Sequence, residues 1–139
     1  MTGPERRQAR ILAMQALCQW DVQRDASPPA LADFLATQHP PDDVVAYADA
    51  LVRGFWEHDA RFDGLIAAAS TRWDVPRMSP VDRNTMRVAV VELDRGDPPP
   101  KVVINEAIEI ARAYGNADSA RFVNGVLDDV WKCMPTERR

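Results

Sequence analysis

The chain has 139 residues, of which 46% are hydrophobic and 27% charged, a composition typical of a folded globular protein and not of a disordered or fibrous one. The formal net charge of -4 at pH 7 excludes the overall positive field that many nucleic-acid-binding proteins carry, so a nucleic-acid site would have to be a local patch. No apolar run approaches the length of a membrane span, and the polar start MTGPERRQAR lacks the apolar core of a signal peptide. We therefore expect a cytoplasmic protein without a membrane contact.

The first half of the chain is predicted to contain four helices, because its apolar residues recur at three- and four-residue spacing and no segment alternates like a β-strand. The first helix is expected over residues 4–24. Ser27 is expected to cap the second, with Pro28 in its first turn, until a proline pair ends it. Asp42 or Asp43 is expected to cap the third, and a fourth follows after a short break.

The second half is predicted to contain three helices, after a connector with the sequence WDVP. Ser79 is expected to cap the fifth helix, with Asp82 returning a hydrogen bond to the cap, and a glycine and three prolines end it. The sixth is expected over residues 102–114, with Gly115 as a left-handed cap, and the seventh begins near Asp118. Seven helices with short connectors predict an all-α fold.

Three arginines lie in the opening turns of the first predicted helix. Arg6, Arg7 and Arg10 span about 100° of arc on one side of it. Cations at this end oppose the helix dipole, so they do not stabilise the helix. One interpretation is a phosphate-binding patch for RNA or DNA, and the other is a solvated, frayed helix end.

The segment SARFVNGVLDDV places Asn-Gly, a typical turn dipeptide, inside a helical pattern. Gly125 points away from the apolar face of this helix, on the outer side that also carries Phe122 and Asp118. Another helix of the chain, a partner, or a stacked base could approach there. Asn124 flanks the apolar face and is expected to bond a loop or a helix end.

Catalytic patterns are weak in this sequence. His39 and His58 have no ligand-type neighbours at metal-binding spacing, and we find neither a nucleophile elbow nor a glycine-rich phosphate loop. Cys18 and Cys133 lie near opposite ends of the chain, which favours two thiols in a reducing compartment over a disulfide between them. The sequence therefore favours a binding module over an enzyme, without a metal or a cofactor.

Three segments resemble the NusB family of transcription antitermination factors: RRQARILAMQALCQWD, DRNTMRVAVVEL and KVVINEAIEIARAYGNADSARFVNGVLDDV. The resemblance implies an all-helical fold of two packed three-helix bundles, which we expect at about residues 1–75 and 76–139. It also implies binding of single-stranded boxA RNA together with NusE, a small-subunit ribosomal protein, in an RNA polymerase complex with other Nus factors. Such a protein catalyses no reaction and uses no cofactor. Whether this chain forms a homodimer is left open.

The resemblance also implies roles for individual residues. It assigns RNA binding to Arg6, Arg7, Arg10, Lys101, Asp118 and Phe122. It assigns the NusE-binding side to Asp82 and to Cys18, which stands where the family commonly has tyrosine. Asn105, Asn124 and Gly125 belong to the signature and are interpreted as mainly structural. We expect the arginine-rich helix tip and Phe122 to lie side by side.

Two other functions fit parts of the pattern. The chain could be a helical protein-interaction module without RNA binding, or an RNA-binding domain of the kind joined to RNA methyltransferases. The salt dependence of RNA affinity separates the first from an antitermination factor, because each phosphate contact on single-stranded RNA contributes about -0.7 to the logarithmic slope. The second requires a catalytic domain, and we expect none after Arg139.

Overall fold

The computed structural model describes residues 1–23, 27–71 and 73–135. Over these residues the chain forms seven α-helices, one short 3-10 turn at Val75–Arg77, and no strand. The helices are α1 (Gly3–Gln23), α2 (Ala32–Gln38), α3 (Asp42–Glu57), α4 (Asp59–Ala69), α5 (Pro80–Arg95), α6 (Pro100–Tyr114) and α7 (Ser119–Cys133). The prediction of an all-α fold with seven helices is confirmed. None of the described helices is long and apolar enough to cross a bilayer.

Helix α5 lies at the centre of the fold and contacts α1, α3, α4, α6 and α7. Every residue of α5 from Asp82 to Leu93 is buried. Around it, α1 packs on α3, and α6 packs on α7. Since α5 and α4 also contact helices on both sides of the connector, packing does not test the predicted division near residue 75, which stays a prediction.

The predicted start of α5 is confirmed at its cap. The backbone N–H of Asp82 donates to Ser79 Oγ at 3.2 Å, and Pro80 occupies the first turn. The capping box is not completed, because the hydrogen bond between these residues runs from the Asp82 backbone to Ser79 Oγ and none is found among the described residues from the Ser79 backbone N–H to the Asp82 carboxylate. The helix ends at Gly96, whose left-handed φ of 79° is the conformation that glycine adopts most easily.

Two predicted helix starts are wrong. Helix α2 begins at Ala32 and not at Ser27, because Pro28 precedes Pro29 and a residue before proline is driven out of the helical conformation. Helix α3 has Pro41 at its N-cap position, so neither Asp42 nor Asp43 caps it, and both lie in its first turn instead. Their negative charges still stabilise the helix, because the N-terminal end of the helix dipole is positive.

The predicted left-handed cap at Gly115 is also wrong. Gly115 has φ -94° and ψ -164°, an extended conformation that any residue could adopt. A glycine is required there for a different reason: a Cβ atom would lie 2.3 Å from Ser119 Oγ and 2.7 Å from the carbonyl oxygen of Ala111. Ser119 Oγ also accepts the backbone N–H of Asn116 at 2.9 Å, so the α6–α7 turn is held tightly.

Candidate nucleic-acid interface

The first turns of α1 and one side of α6 enclose a groove of about 600 Å³. Arg6 and Arg7 line it from α1, whereas Val102 and Tyr114 line it from α6, and both of these α6 side chains are exposed. We call it the arginine groove. Arg10 also lines it, so the groove brings all three predicted RNA-binding arginines together with an exposed aromatic ring. Lys101, in the first turn of α6 next to Val102, is exposed as well.

Arg7 is held at this groove by a bidentate ion pair. Its Nε and Nη2 donate to Glu106 Oε1 and Oε2 at 3.1 Å and 2.6 Å, while 45% of the side chain stays exposed. The hydrogen bond from Arg7 is the main cause that lowers the pKa of Glu106. Since these bonds use only two of the five guanidinium N–H donors, others can reach a phosphate. Arg6 lies beside it, with its guanidinium carbon 5.9 Å from the centre of the Tyr47 ring.

Arg10 differs from its neighbours, because only 3% of it is exposed. Its Nε and Nη2 donate to the carboxylate of Glu92 at 2.7 Å and 3.1 Å, and its Nη1 lies 3.3 Å from Glu106 Oε1. The Tyr47 hydroxyl donates to the same Glu92 carboxylate. Burial disfavours the charged guanidinium, but these partners outweigh it and raise the pKa of Arg10. Arg10 is therefore placed to hold Glu106, and through it Arg7, and little of its side chain is accessible to RNA, so its predicted RNA contact stays a prediction.

A second depression, of about 300 Å³, lies between the start of α5 and the α6–α7 turn. Trp73 and Arg77 line it from the segment before α5, and Asp82 lines it from the first turn of α5. Asp118 and Phe122 line it from the start of α7, Asp118 exposed and Phe122 half-buried. We call it the aromatic recess. It brings two predicted RNA-binding residues together with a residue that was assigned to the NusE side.

The groove and the recess adjoin through the α6–α7 turn. Tyr114, at the end of α6, lines the groove, and Asn116 and Asp118, a few residues later, line the recess. In the described part of the chain, however, neither depression is lined by both Phe122 and the arginines of α1. The ring that shares a groove with Arg6 and Arg7 is therefore Tyr114, not Phe122.

The two residues predicted for the NusE side lie near the same helix start. Cys18 Sγ is 3.4 Å from the carbonyl oxygen of Pro80, and Asn84 Nδ2 donates to this sulfur at 3.4 Å. Burial raises the pKa of the Cys18 thiol, so the thiolate is disfavoured. Asp82, two residues beyond Pro80, is only 6% exposed. Both Cys18 and Cys133 are free cysteines, as predicted.

The outer side of α7 is open. A Cβ atom added at Gly125 would meet no other atom of the described chain within 4 Å, so the alternative in which another helix packs on Gly125 is wrong. Asn124 and Asn105 are exposed, which does not fit the structural role that we expected for them.

Over the described residues, no group of three or more His, Cys, Asp or Glu side chains could hold a metal ion.

Sequence reasoning missed three residues of these sites. Trp73 belongs to the predicted WDVP connector, in which a large aromatic residue is itself a signal. Tyr114 is the last residue of the sixth predicted helix, and nothing beside it in the sequence indicates a binding role. Glu106 could not have been found, because its pairing with Arg7 joins residues 99 positions apart and depends on how α6 crosses α1.

The chain is thus an all-α protein with two surface depressions, the arginine groove and the aromatic recess, that are lined by charged and aromatic side chains. The model of the NusB family matches residues 7–132, and the chain belongs to that family. It is 47% identical to the transcription antitermination protein NusB of Anaeromyxobacter dehalogenans strain 2CP-1, over 96% of this chain and 95% of the relative.

Solved structures agree with this assignment. The chain is similar to NusB of T. maritima with a TM-score of 0.82 and 36% identity, over 96% of this chain and 95% of the other. A chain in a crystal structure of the antitermination factors NusB and NusE in complex with dsRNA matches with a TM-score of 0.85 and 25% identity, over 96% of this chain and 100% of the other.

Proposed function

We propose that this chain is a transcription antitermination factor that binds single-stranded boxA RNA of ribosomal RNA operons together with NusE. The complex joins RNA polymerase and other Nus factors in the cytoplasm. The chain contributes binding surfaces and no catalysis, and it needs no cofactor. The observation that carries the proposal is the arginine groove, in which Arg7 is fixed by Glu106 with much of its side chain exposed beside Tyr114.

The chemistry of the groove suits a single strand of RNA. Phosphates are attracted to Arg6, Arg7 and the neighbouring Lys101, while the ring of Tyr114 offers a face on which a base can stack. Because Glu106 already orients Arg7, less side-chain freedom is lost when a phosphate binds. Arg10 supports this arrangement from the interior.

NusE is proposed as the partner because a solved relative is a NusB–NusE complex and because the net charge of this chain is negative. The net charge of -4 at pH 7 opposes RNA at long range, so the lone chain should bind boxA weakly. We expect NusE to contact the surface around Cys18 and the start of α5, since both predicted partner residues lie there.

Titration of labelled boxA RNA with the chain, in the presence and absence of NusE, tests this function. The expected result is weak binding alone and tight binding with NusE, with a scrambled RNA of equal length bound weakly in both cases. Full-strength boxA binding by the lone chain would contradict the role of NusE. Equal binding of boxA and scrambled RNA in the presence of NusE would contradict the function itself.

A matched pair of variants locates the RNA surface. Arg7→Ala should weaken the ternary complex, whereas Arg53→Ala, on the exposed side of α3 and paired only locally with Asp49, should not. Equal RNA affinities of the two variants would show that the arginine groove does not bind RNA, and would favour a protein-interaction module without RNA binding.

A further inference from the structure

We propose that Tyr47 of α3 is a positioning residue for RNA binding: its ring holds the Arg6 guanidinium at the arginine groove, and its hydroxyl fixes the ring to Glu92 of α5. This inference rests on the proposed function and deepens it, because it says how one of the RNA-binding arginines is oriented. Arg6 lines the groove and Tyr47 does not, so Tyr47 acts on RNA through Arg6.

Arg6 is held differently from the other two arginines of the α1 tip. Arg7 and Arg10 are paired with glutamates, whereas Arg6 has no carboxylate within ion-pair distance among the described residues. Its guanidinium carbon lies 5.9 Å from the centre of the Tyr47 ring, a distance at which the negative face of a ring attracts a cation. Within the described chain, the Tyr47 ring is therefore the group whose charge distribution restrains Arg6.

A ring can hold an arginine without occupying its hydrogen-bond donors. The bidentate pair of Arg7 uses two of the five guanidinium N–H groups on Glu106, and the carboxylate also offsets the charge that attracts a phosphate. The neutral ring of Tyr47 does neither, so Arg6 keeps its charge and its N–H groups for RNA. Because the side chain is already restrained, less rotamer freedom is lost when a phosphate binds.

The Tyr47 ring is itself fixed from the interior of the protein. Its hydroxyl donates to the carboxylate of Glu92, which is completely buried and accepts two further hydrogen bonds from Arg10 at 2.7 Å and 3.1 Å. Burial, and then the bond to Glu92, raise the pKa of Tyr47 to about 12, so the hydroxyl stays protonated at neutral pH and continues to donate. The ring therefore stands on a rigid support.

The same buried carboxylate also supports Arg7. Glu92 binds Arg10, and Arg10 Nη1 lies 3.3 Å from Oε1 of Glu106, the glutamate that holds Arg7. Both arginines that are proposed to meet phosphates therefore share one support, the first through the ring of Tyr47 and the second through a pair of charged side chains. This arrangement fixes the two guanidinium groups relative to each other before RNA binds.

A double-mutant cycle on boxA affinity, with the full chain and NusE, tests the positioning role. Tyr47→Leu should weaken binding about two- to fivefold, as expected for one lost contact between a cation and a ring. It should cause no further loss in a chain that already carries Arg6→Ala, and its full loss in a chain that carries Arg7→Ala. A loss that persists beside Arg6→Ala would show that Tyr47 contacts RNA itself or only supports the fold, and would overturn the proposal.

The ring is tested with Tyr47→Phe and with ring-fluorinated forms of that phenylalanine, which nearly keep the shape of the tyrosine ring. Tyr47→Phe should retain at least about half of the affinity, because the ring remains. Fluorination makes the ring face less negative, so affinity should fall as fluorination increases, and this trend should vanish beside Arg6→Ala. Affinity that is independent of fluorination would overturn the ring contact, whether or not Tyr47→Leu folds.

The matched control is Val45→Ala, which truncates another half-buried side chain of α3 that packs on the core. It should lower the temperature of thermal unfolding and leave boxA affinity unchanged. Binding of NusE without RNA should be equal in the wild type and in Tyr47→Leu. Weaker NusE binding by the variant would make Tyr47 part of a protein contact and would overturn the proposal.

The outcomes separate this inference from the function on which it rests. If Arg6→Ala and Arg7→Ala weaken RNA binding and a folded Tyr47→Leu variant does not, the positioning role is wrong and the function stands. If Arg7→Ala weakens RNA binding and Arg6→Ala does not, the positioning role is also wrong, because Arg6 then makes no contact to be positioned. If none of the three substitutions changes RNA binding, both proposals are wrong.

Discussion

The molecule has two groups of arginines, and they are used in opposite ways. On α5, Arg87 is 2% exposed and pairs with Asp21 at 2.9 Å and Asp63 at 2.7 Å, while Arg83 bonds Asp21 and three backbone carbonyls. At the tip of α1, Arg7 is paired through one edge only and much of it is exposed. An arginine is available to a ligand when its acidic partners leave part of the guanidinium unsatisfied, and not merely because it lies in a basic run.

Arg10 lies between these two cases. It belongs to the α1 tip by sequence, but its guanidinium is buried against Glu92 and Glu106 like those of α5. A substitution at each of the three kinds of site should therefore have a different outcome. Substitution of Arg83 or Arg87 should lower stability. Substitution of Arg6 or Arg7 should weaken RNA binding, and substitution of Arg10 should mainly lower stability.

The largest effect is expected for Arg87→Ala. It would leave Asp21 and Asp63 without their shared partner and would remove the guanidinium 4.7 Å from the Phe55 ring centre. Breaking a buried ion pair from one side costs about 3–5 kcal/mol in the free energy of unfolding, which urea denaturation would measure. A loss below about 1 kcal/mol would show that the α5 network is not structural.

Arg10→Ala should lower the free energy of unfolding by about 3 kcal/mol, since among the described residues it leaves the buried Glu92 carboxylate with only the Tyr47 hydroxyl as a side-chain donor. Arg7→Ala, by contrast, removes a pair that is partly exposed and should cost less than about 1 kcal/mol. Urea denaturation measures the free energy of unfolding of both variants. Equal decreases would show that Arg10 contributes no more to stability than the partly exposed Arg7.

Two glycines give a similar contrast, between a tightly packed turn at Gly115 and an open helix surface at Gly125. Gly115→Ala would force a Cβ to within 2.3 Å of Ser119 Oγ and should destabilise the protein by about 1–3 kcal/mol. Gly125→Ala has open space around it in the middle of α7 and should stabilise the protein by about 0.5–1 kcal/mol through helix propensity. Thermal unfolding of both variants checks the signs, and a destabilising Gly125→Ala would mean that another group approaches α7.

The pH dependence of the free energy of unfolding should follow Asp21, which pairs with the buried arginines of α5, and Glu106, which pairs with Arg7. Burial opposes ionisation of Asp21, but hydrogen bonds from Asn84 and Arg87 outweigh it and lower its pKa below the ordinary 3.8, and the bond from Arg7 lowers the pKa of Glu106 below 4.5. A lowered pKa in the folded state stabilises the protein above the ordinary pKa, and this stability is lost as pH falls through the folded value.

Urea denaturation at a series of pH values below 4.5 should therefore show a falling free energy of unfolding. Asp21→Asn should flatten the part of this decline that lies below 3.8. A decline that is identical in wild type and variant would contradict the role of Asp21.

The elements of the fold could be predicted because local chemistry determines them. Ser79 and Pro80 start α5 and Gly96 ends it through bonds between neighbours in the sequence. The site was predicted less completely, because it depends on how helices cross. The sequence around Arg10 gives no sign that it pairs with Glu92, which lies 82 residues away. The sequence therefore could not show that Arg10 is buried while its basic neighbours are exposed.

Gly115 shows the same limit on a smaller scale. A glycine after a helix predicts a left-handed cap, and the real reason for it, the close approach of Ser119 Oγ, depends on the angle at which α7 leaves the turn. Trp73 and Phe122 likewise line the same recess only because the start of α5 lies near the start of α7.

The salt dependence of boxA affinity tests the central claim most directly. The ternary complex of wild type with NusE should lose affinity steeply as salt rises, and Arg6→Ala combined with Arg7→Ala should flatten the logarithmic slope by about 1.4, at about 0.7 for each lost phosphate contact on single-stranded RNA. Arg10→Ala should leave the slope unchanged. A slope that Arg6→Ala and Arg7→Ala do not change, or that only Arg10→Ala changes, would contradict the account.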